Sequence, residues 1–183
     1  MNHDTYSPDY IRDILKSTRV IALVGASANT VRPSYLVMKY LMAKGYKVVP
    51  VNPGLAGQEL LGQRVYASLR DIGEAIDMVD IFRNPDAVSG LVAEAIAMTS
   101  PPKTIWMQLQ VRNDEAAAQA EAAGMRVVMN RCTKIEYGKL SGEWGWVGGN
   151  TGLISSRRQN LHESGRLQSL GLGDGPSDKK LPS

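Results

Sequence analysis

Five short runs rich in β-branched and other apolar residues, at 20–24, 47–51, 78–82, 104–109 and 126–129, recur at intervals of roughly 20 to 30 residues. That spacing leaves room for a helix between successive strands, where a hairpin would need only a few residues. Helical patterns fill the gaps. Arg32 and Pro33 open the first, with proline suited to a first helical position. Gly45 closes it, after Leu36, Val37, Tyr40 and Leu41 have covered the sheet. A second helix is expected over 85–98, and an alanine-rich third over 114–123, closed by Gly124. Strand and helix in alternation imply right-handed crossovers and an α/β fold of the Rossmann type: a doubly wound, mostly parallel sheet of five to six strands. A further short strand near 64–67 and a helical turn near 71–75 would bridge the second and third main strands.

With 183 residues, 43% of them hydrophobic, the chain suits one two-sided core and not two. The domain is expected to occupy 1–140. Half of the 18 glycines fall after Ser141, where aliphatic periodicity stops. Residues 141–154, with Trp144 and Trp146, are read as a flap packed on the domain, and 155–183 as a loosely packed or disordered tail. A lone cysteine, Cys132, excludes an intramolecular disulfide, and the start lacks a basic-then-apolar export signal, so the cytoplasm is expected. No apolar run approaches the roughly 18 residues of a membrane span. The net charge of +3 is spread along the chain, unlike a nucleic-acid-binding face, and suits a phosphorylated small molecule.

In a doubly wound sheet, ligands bind in the crevice beyond the carboxyl ends of the strands. The first strand runs into Gly25-Ala26-Ser27, and the next helix starts at Arg32-Pro33. Glycine permits close backbone approach, the serine hydroxyl can donate, and the N–H groups of a helix start favour an anion. The plain alternative is an ordinary strand-to-helix turn. After the second strand come Asn52-Pro53-Gly54, where an NAD-binding domain would carry an acid for the ribose. Asn52 can bond a ribose or an adenine edge, or simply make a turn. Phe82 can lie against an adenine or belong to the core, and Arg83 can pair with a phosphate. Trp106, Gln108 and Gln110 share one face of the fourth strand, and Gln108, polar at the end of a buried strand, is expected to face the crevice.

As an ordered set, Val24-Gly25-Ala26-Ser27, Arg32-Pro33-Ser34-Tyr35, Gly45-Tyr46, Val51-Asn52-Pro53, Asp80-Ile81-Phe82-Arg83, Trp106-Met107-Gln108 and Met129-Asn130-Arg131-Cys132 resemble the small bacterial CoA-binding domain proteins. Those are similar in fold to the CoA-binding domain of the succinyl-CoA synthetase alpha subunit, and the resemblance covers most of 6–140. It implies that Gly25, Ser27 and Arg32 hold phosphates, that Asn52 and Pro53 line the nucleotide site, and that Phe82 and Arg83 flank the adenosine or pyrophosphate. CoA or acyl-CoA would be the ligand. Gln110 departs from the pattern, since many relatives carry glycine there.

The resemblance implies binding and not catalysis. His3 and His162 lie in terminal segments with no second ligand at metal spacing, and Ser27 has no evident base, so neither a catalytic set nor a metal site is expected. Cys132 is read first as a buried structural thiol. The other reading is thiol exchange with CoA, since Arg131 and Lys134 would favour the thiolate. Two other functions remain open: an NAD(P)-dependent oxidoreductase, which lacks the second-strand acid and a full Gly-x-Gly-x-x-Gly turn, and a scaffold that docks a protein partner with its crevice empty.

Overall fold

The computed structural model describes residues 2–142. Residues 143–154 of the flap expected over 141–154, the tail and His162 lie outside them. Five strands form a parallel sheet: β1 (Val20–Val24), β2 (Lys47–Val51), β5 (Met78–Ile81), β6 (Thr104–Met107) and β7 (Arg126–Val128), in the order β2-β1-β5-β6-β7. Because β1 lies between β2 and β5, the chain winds outward in both directions from it, and loops from three strands meet at one point beyond its carboxyl end.

Side-chain alternation divides the core into two layers. Ala22, Val79, Ile105 and Val127 pack against α3 (Val88–Ile96) and α4 (Asp114–Ala122). Ile21, Leu23, Met78, Trp106 and Val128 pack on the other face, against α1 (Pro8–Ser17), α2 (Pro33–Ala43) and α5 (Thr133–Leu140). Alanines at 116, 117 and 120 let α4 pack closely on its layer. On α2 the buried residues are Ser34, Val37, Met38 and Leu41. Leu36, expected on the sheet, is 46% exposed, because the covering stripe starts two residues earlier at Ser34.

The expected sixth strand does not join the sheet. The segment pairs back on itself as a hairpin, β3 (Glu59–Leu60) with β4 (Gln63–Arg64), and only Tyr66 makes a parallel bridge to Val51. The helical turn of this region falls at Leu69–Asp71, two residues early, where Ser68 and Asp71 form a capping box. The second helix begins with a 3₁₀ turn, Pro85–Ala87, before α3 proper.

Two helices were not read from the sequence. Helix α1 has Ser7 as its cap, Pro8 in its first turn, Lys16 in its last, and buries Ile11, Ile14 and Leu15. These are ordinary start and stop signals. Helix α5 has Cys132 as its cap residue, which makes no side-chain cap bond, and carries no amphipathic stripe, although Tyr137 is fully buried between α2 and the sheet. Among the described residues, no helix is long and apolar enough to cross a membrane.

Candidate functional site

At the carboxyl end of β1 the chain turns on Gly25, with φ of 90°. A Cβ at this position would sit 2.7 Å from the Phe82 carbonyl oxygen and 3.2 Å from Arg83 Cδ. Both the dihedral and the approach therefore require glycine. The Gly25 N–H donates to Val51 O at 2.9 Å and the Phe82 N–H to Val24 O at 2.8 Å, so the ends of β2, β1 and β5 are tied together at this turn.

The loop beyond it is built from local side-chain bonds. Ser27 Oγ accepts from the Asn29 N–H at 3.2 Å, and Asn29 Oδ1 accepts from the Val31 N–H at 3.1 Å. Asn29 had not been singled out from the sequence, although Asn in a Ser-Ala-Asn-Thr run is a turn signal. The loop delivers the chain into α2, whose cap residue Arg32 makes no side-chain cap bond and whose first position is Pro33. The N-terminal amides of α2 are thus without a side-chain acceptor, and an anion there meets the positive end of the helix.

Gly25, Ala26, Ser27, Arg32, Pro33, Asn52, Phe82 and Arg83 line a single cavity of about 350 Å³, which brings together every expected site residue except Pro53, Gln108 and Cys132. Pro53 lines a second cavity, of about 370 Å³, on the α3 side of the same crevice, and Gly25, Asn52 and Arg83 border both. Cavities of this size are in the range of small-molecule sites. Arg32 and Arg83 are exposed, and neither guanidinium has a hydrogen-bond or ion-pair partner among the described residues. Asn52 lies in the wall, but its amide also braces the turns: Nδ2 donates to Ala26 O at 2.7 Å and Oδ1 accepts from the Gly54 N–H at 2.9 Å. Phe82 is half-buried at the edge of the α2-side core.

Gln108 lies elsewhere. It is buried beside β5, where its amide donates to Asp80 Oδ1 at 2.8 Å and to Thr133 Oγ1 at 2.9 Å. The Thr133 hydroxyl donates to Asp80 Oδ2 at 3.1 Å and closes the ring. Burial pushes the Asp80 carboxyl up to about 7, against the pull of these two donors. The expectation of a crevice-facing glutamine fails because the nearest polar group needing a partner is this buried acid, in the neighbouring strand. Asp80 is a residue that sequence reasoning missed. An acid inside an apolar strand is the sequence signal that could have marked it.

Cys132 is half-buried at the start of α5. Burial pushes its thiol up, against the amides of Ile135 and Lys134, and the Asp80 carboxyl adds to the rise. Of the two cations expected to favour the thiolate, the Lys134 charge does so but is outweighed by burial, and Arg131 does not: its guanidinium bonds the Asp4 carbonyl at 3.1 Å and lies over the Tyr6 ring. Gln110 adopts φ of 67°, a conformation in which glycine is unstrained, and its N–H donates to Asn130 Oδ1 at 2.9 Å.

These features define a Rossmann-like α/β domain with an open crevice at the switch point of its sheet. Residues 19–138 match the model of the CoA binding domain family, and the chain belongs to that family. It is 33% identical over 127 residues to the uncharacterized protein YneT of Bacillus subtilis (strain 168), covering 69% of this chain and 91% of that protein. Among solved structures it is similar to Prb, the PH1109 protein redesigned for binding, at 40% identity and a TM-score of 0.72, covering 77% of this chain and 96% of that one. It is also similar to the cell-free ID.343 protein of Thermus thermophilus, at 36% identity and a TM-score of 0.70, with 74% and 99% covered.

Proposed function

We propose that the chain is a cytoplasmic, non-catalytic module that binds CoA or acyl-CoA in the crevice at the carboxyl end of β1. The observation that carries this reading is the pair of guanidinium groups, Arg32 and Arg83, unpartnered among the described residues, on one cavity with the Gly25 turn and the uncapped start of α2. Unpaired cations at a helix N-terminus suit a diphosphate, which accepts charge-assisted bonds from both while the backbone N–H groups approach unhindered across glycine. Ser27 Oγ keeps its proton available for donation, since it is an acceptor in the loop. Asn52 and Pro53 line the nucleotide side, and Phe82 with Arg83 flank the adenosine or pyrophosphate. Membership of the CoA binding domain family supports the choice of CoA over other diphosphates.

Thermal melts with CoA, acetyl-CoA, NAD, NADP and ATP at matched concentrations test the reading, because a ligand that binds only the folded state must raise Tm. At about a hundred times its dissociation constant CoA adds roughly 2.7 kcal/mol, on the order of 5–10 °C for a domain of this size. A rise with CoA or acetyl-CoA that NAD does not match is expected. A rise with NAD or NADP alone would instead assign a dinucleotide to the crevice, and no rise with any of them would favour the protein-docking scaffold.

A further inference from the structure

Helix α2 lies on the surface without the pattern of a surface helix. Its inner face buries Ser34, Val37, Met38 and Leu41, and Lys39 is the one charged side chain between Pro33 and Ala43. The outer face leaves Leu36 and Ala43 exposed and Tyr35, Tyr40 and Met42 half-buried. Helix α1, by contrast, turns Asp9, Asp13 and Lys16 to water. A helix that is apolar all round is ordinarily covered on both sides, so the outer face of α2 calls for a second covering.

Charge argues against a second copy of the chain. No Asp or Glu occurs between Asp13 and Glu59, and neither Arg32 nor Lys39 has an ion-pair partner among the described residues. Pairing α2 with itself would set these cations against one another. The course of the chain argues for the residues that follow α5. Both α2 and α5 start beyond the carboxyl end of the parallel sheet and run back toward its amino end. They touch: the Tyr40 and Tyr137 rings meet edge to face at 5.9 Å, and Lys134 Nζ lies 5.5 Å over the Tyr40 ring. The described residues stop at Gly142, just past the end of α5 at Leu140, so the chain leaves α5 at the end of the domain where α2 also stops. Next come Glu143-Trp144-Gly145-Trp146-Val147, three large apolar side chains with a charge of the sign that α2 lacks. The length of α2 is about 16 Å, and five extended residues reach about as far.

We propose that the outer face of α2 is the docking surface for residues 143–147 of the same chain, with Trp144 and Trp146 covering Leu36, Tyr40 and Met42. The flap expected over 141–154 thereby gains a specific place on the domain, and the apolar helix and the two tryptophans remove each other from water. The CoA reading is not required for this contact.

Tryptophan emission and acrylamide quenching of the full chain, with Leu36→Glu and Ala43→Glu as separate variants, test the assignment. Both altered side chains are exposed on the described domain, so the fold should survive, as circular dichroism would show. The unmodified protein should emit as shielded tryptophan. Leu36→Glu should shift emission to the red and raise the quenching constant by about twofold or more, since two of the three tryptophans pass from cover to water. A disulfide closed within one chain by Lys39→Cys with Gly145→Cys, in a Cys132→Ser background, would support the contact independently. Unchanged quenching in both folded glutamate variants would overturn the proposal. Tryptophans already open to quencher in the unmodified protein would overturn it in favour of a partner protein on α2. A dimer in sedimentation that Leu36→Glu dissolves would overturn it in favour of a second copy.

Discussion

The two halves of the sheet's carboxyl edge use polar residues in opposite ways. On the β6–β7 side polar groups answer one another. Asp80, Gln108 and Thr133 form a closed ring, Trp106 Nε1 donates to Arg131 O at 2.7 Å, and Asn130 Oδ1 accepts from Gln110. The outer edge of β7 is closed as well: Tyr10 Oη bonds both the N–H and the carbonyl of Val127, and Tyr6 Oη accepts from the Met129 N–H at 2.7 Å. On the β1–β2 side Gly25 holds the backbone open, α2 starts without a side-chain cap, and Arg32 and Arg83 meet no partner among the described residues. A region whose polar groups are mutually satisfied holds the domain together. One whose donors converge on open space is arranged for something else to complete it.

Exchanging the character of the two sides should break this contrast. Gly25→Ala has the largest expected effect: a strained φ and a contact with the Phe82 carbonyl should cost on the order of 2–4 kcal/mol in urea unfolding and abolish CoA binding. Wild-type stability in the variant would mean that the turn is not a rigid element.

The closed side should dominate the pH dependence of stability. The folded Asp80 carboxyl titrates at about 7 against an ordinary value of 3.8, so between these values the folded state binds the extra proton. Its contribution is therefore fully present below about 4 and is lost as pH rises through about 7. Asp80→Asn should remove a fall on the order of a few kcal/mol between those limits, read as the difference between wild-type and variant denaturation midpoints at each pH. A parallel pair of profiles would show that the carboxyl is not the buried acid of the ring.

Arg83→Ala should leave stability within about 0.5 kcal/mol, since the side chain is exposed, and weaken CoA by about 1–3 kcal/mol. Unchanged affinity in the folded variant would remove Arg83 from the site. The smallest effect is expected at Gln110→Gly, which relieves a positive φ while keeping the N–H bond to Asn130. A gain of about 0.5–1 kcal/mol is expected, and a loss would mean that the side chain contributes contacts outweighing the strain.

Much of the open side was legible in the sequence, because its chemistry is written in local segments. Gly25-Ala26-Ser27, Arg32-Pro33 and Asn52-Pro53 each follow or precede a regular element whose end can be read from nearby residues. The closed side was not, because each of its partners comes from a distant segment. Asp80 and Gln108 are 28 residues apart and Asp80 and Thr133 are 53 apart, and no periodicity links them. Gln108 was therefore assigned to the crevice on the sound premise that a buried amide needs partners, with no means to tell which partners. Tyr6 and Tyr10 were likewise silent, since their roles depend on β7 lying at the sheet edge beside α1.

The sequence by itself determined the alternation of strand and helix, the parallel sheet, and the glycine turn with its neighbouring cations, because periodicity and turn chemistry act over a few residues. Only the tertiary structure decided which polar residues complete one another and which are left facing a cavity. Satisfaction of a buried group depends on what lies within about 3 Å of it in space, and nothing in a one-dimensional pattern fixes that distance.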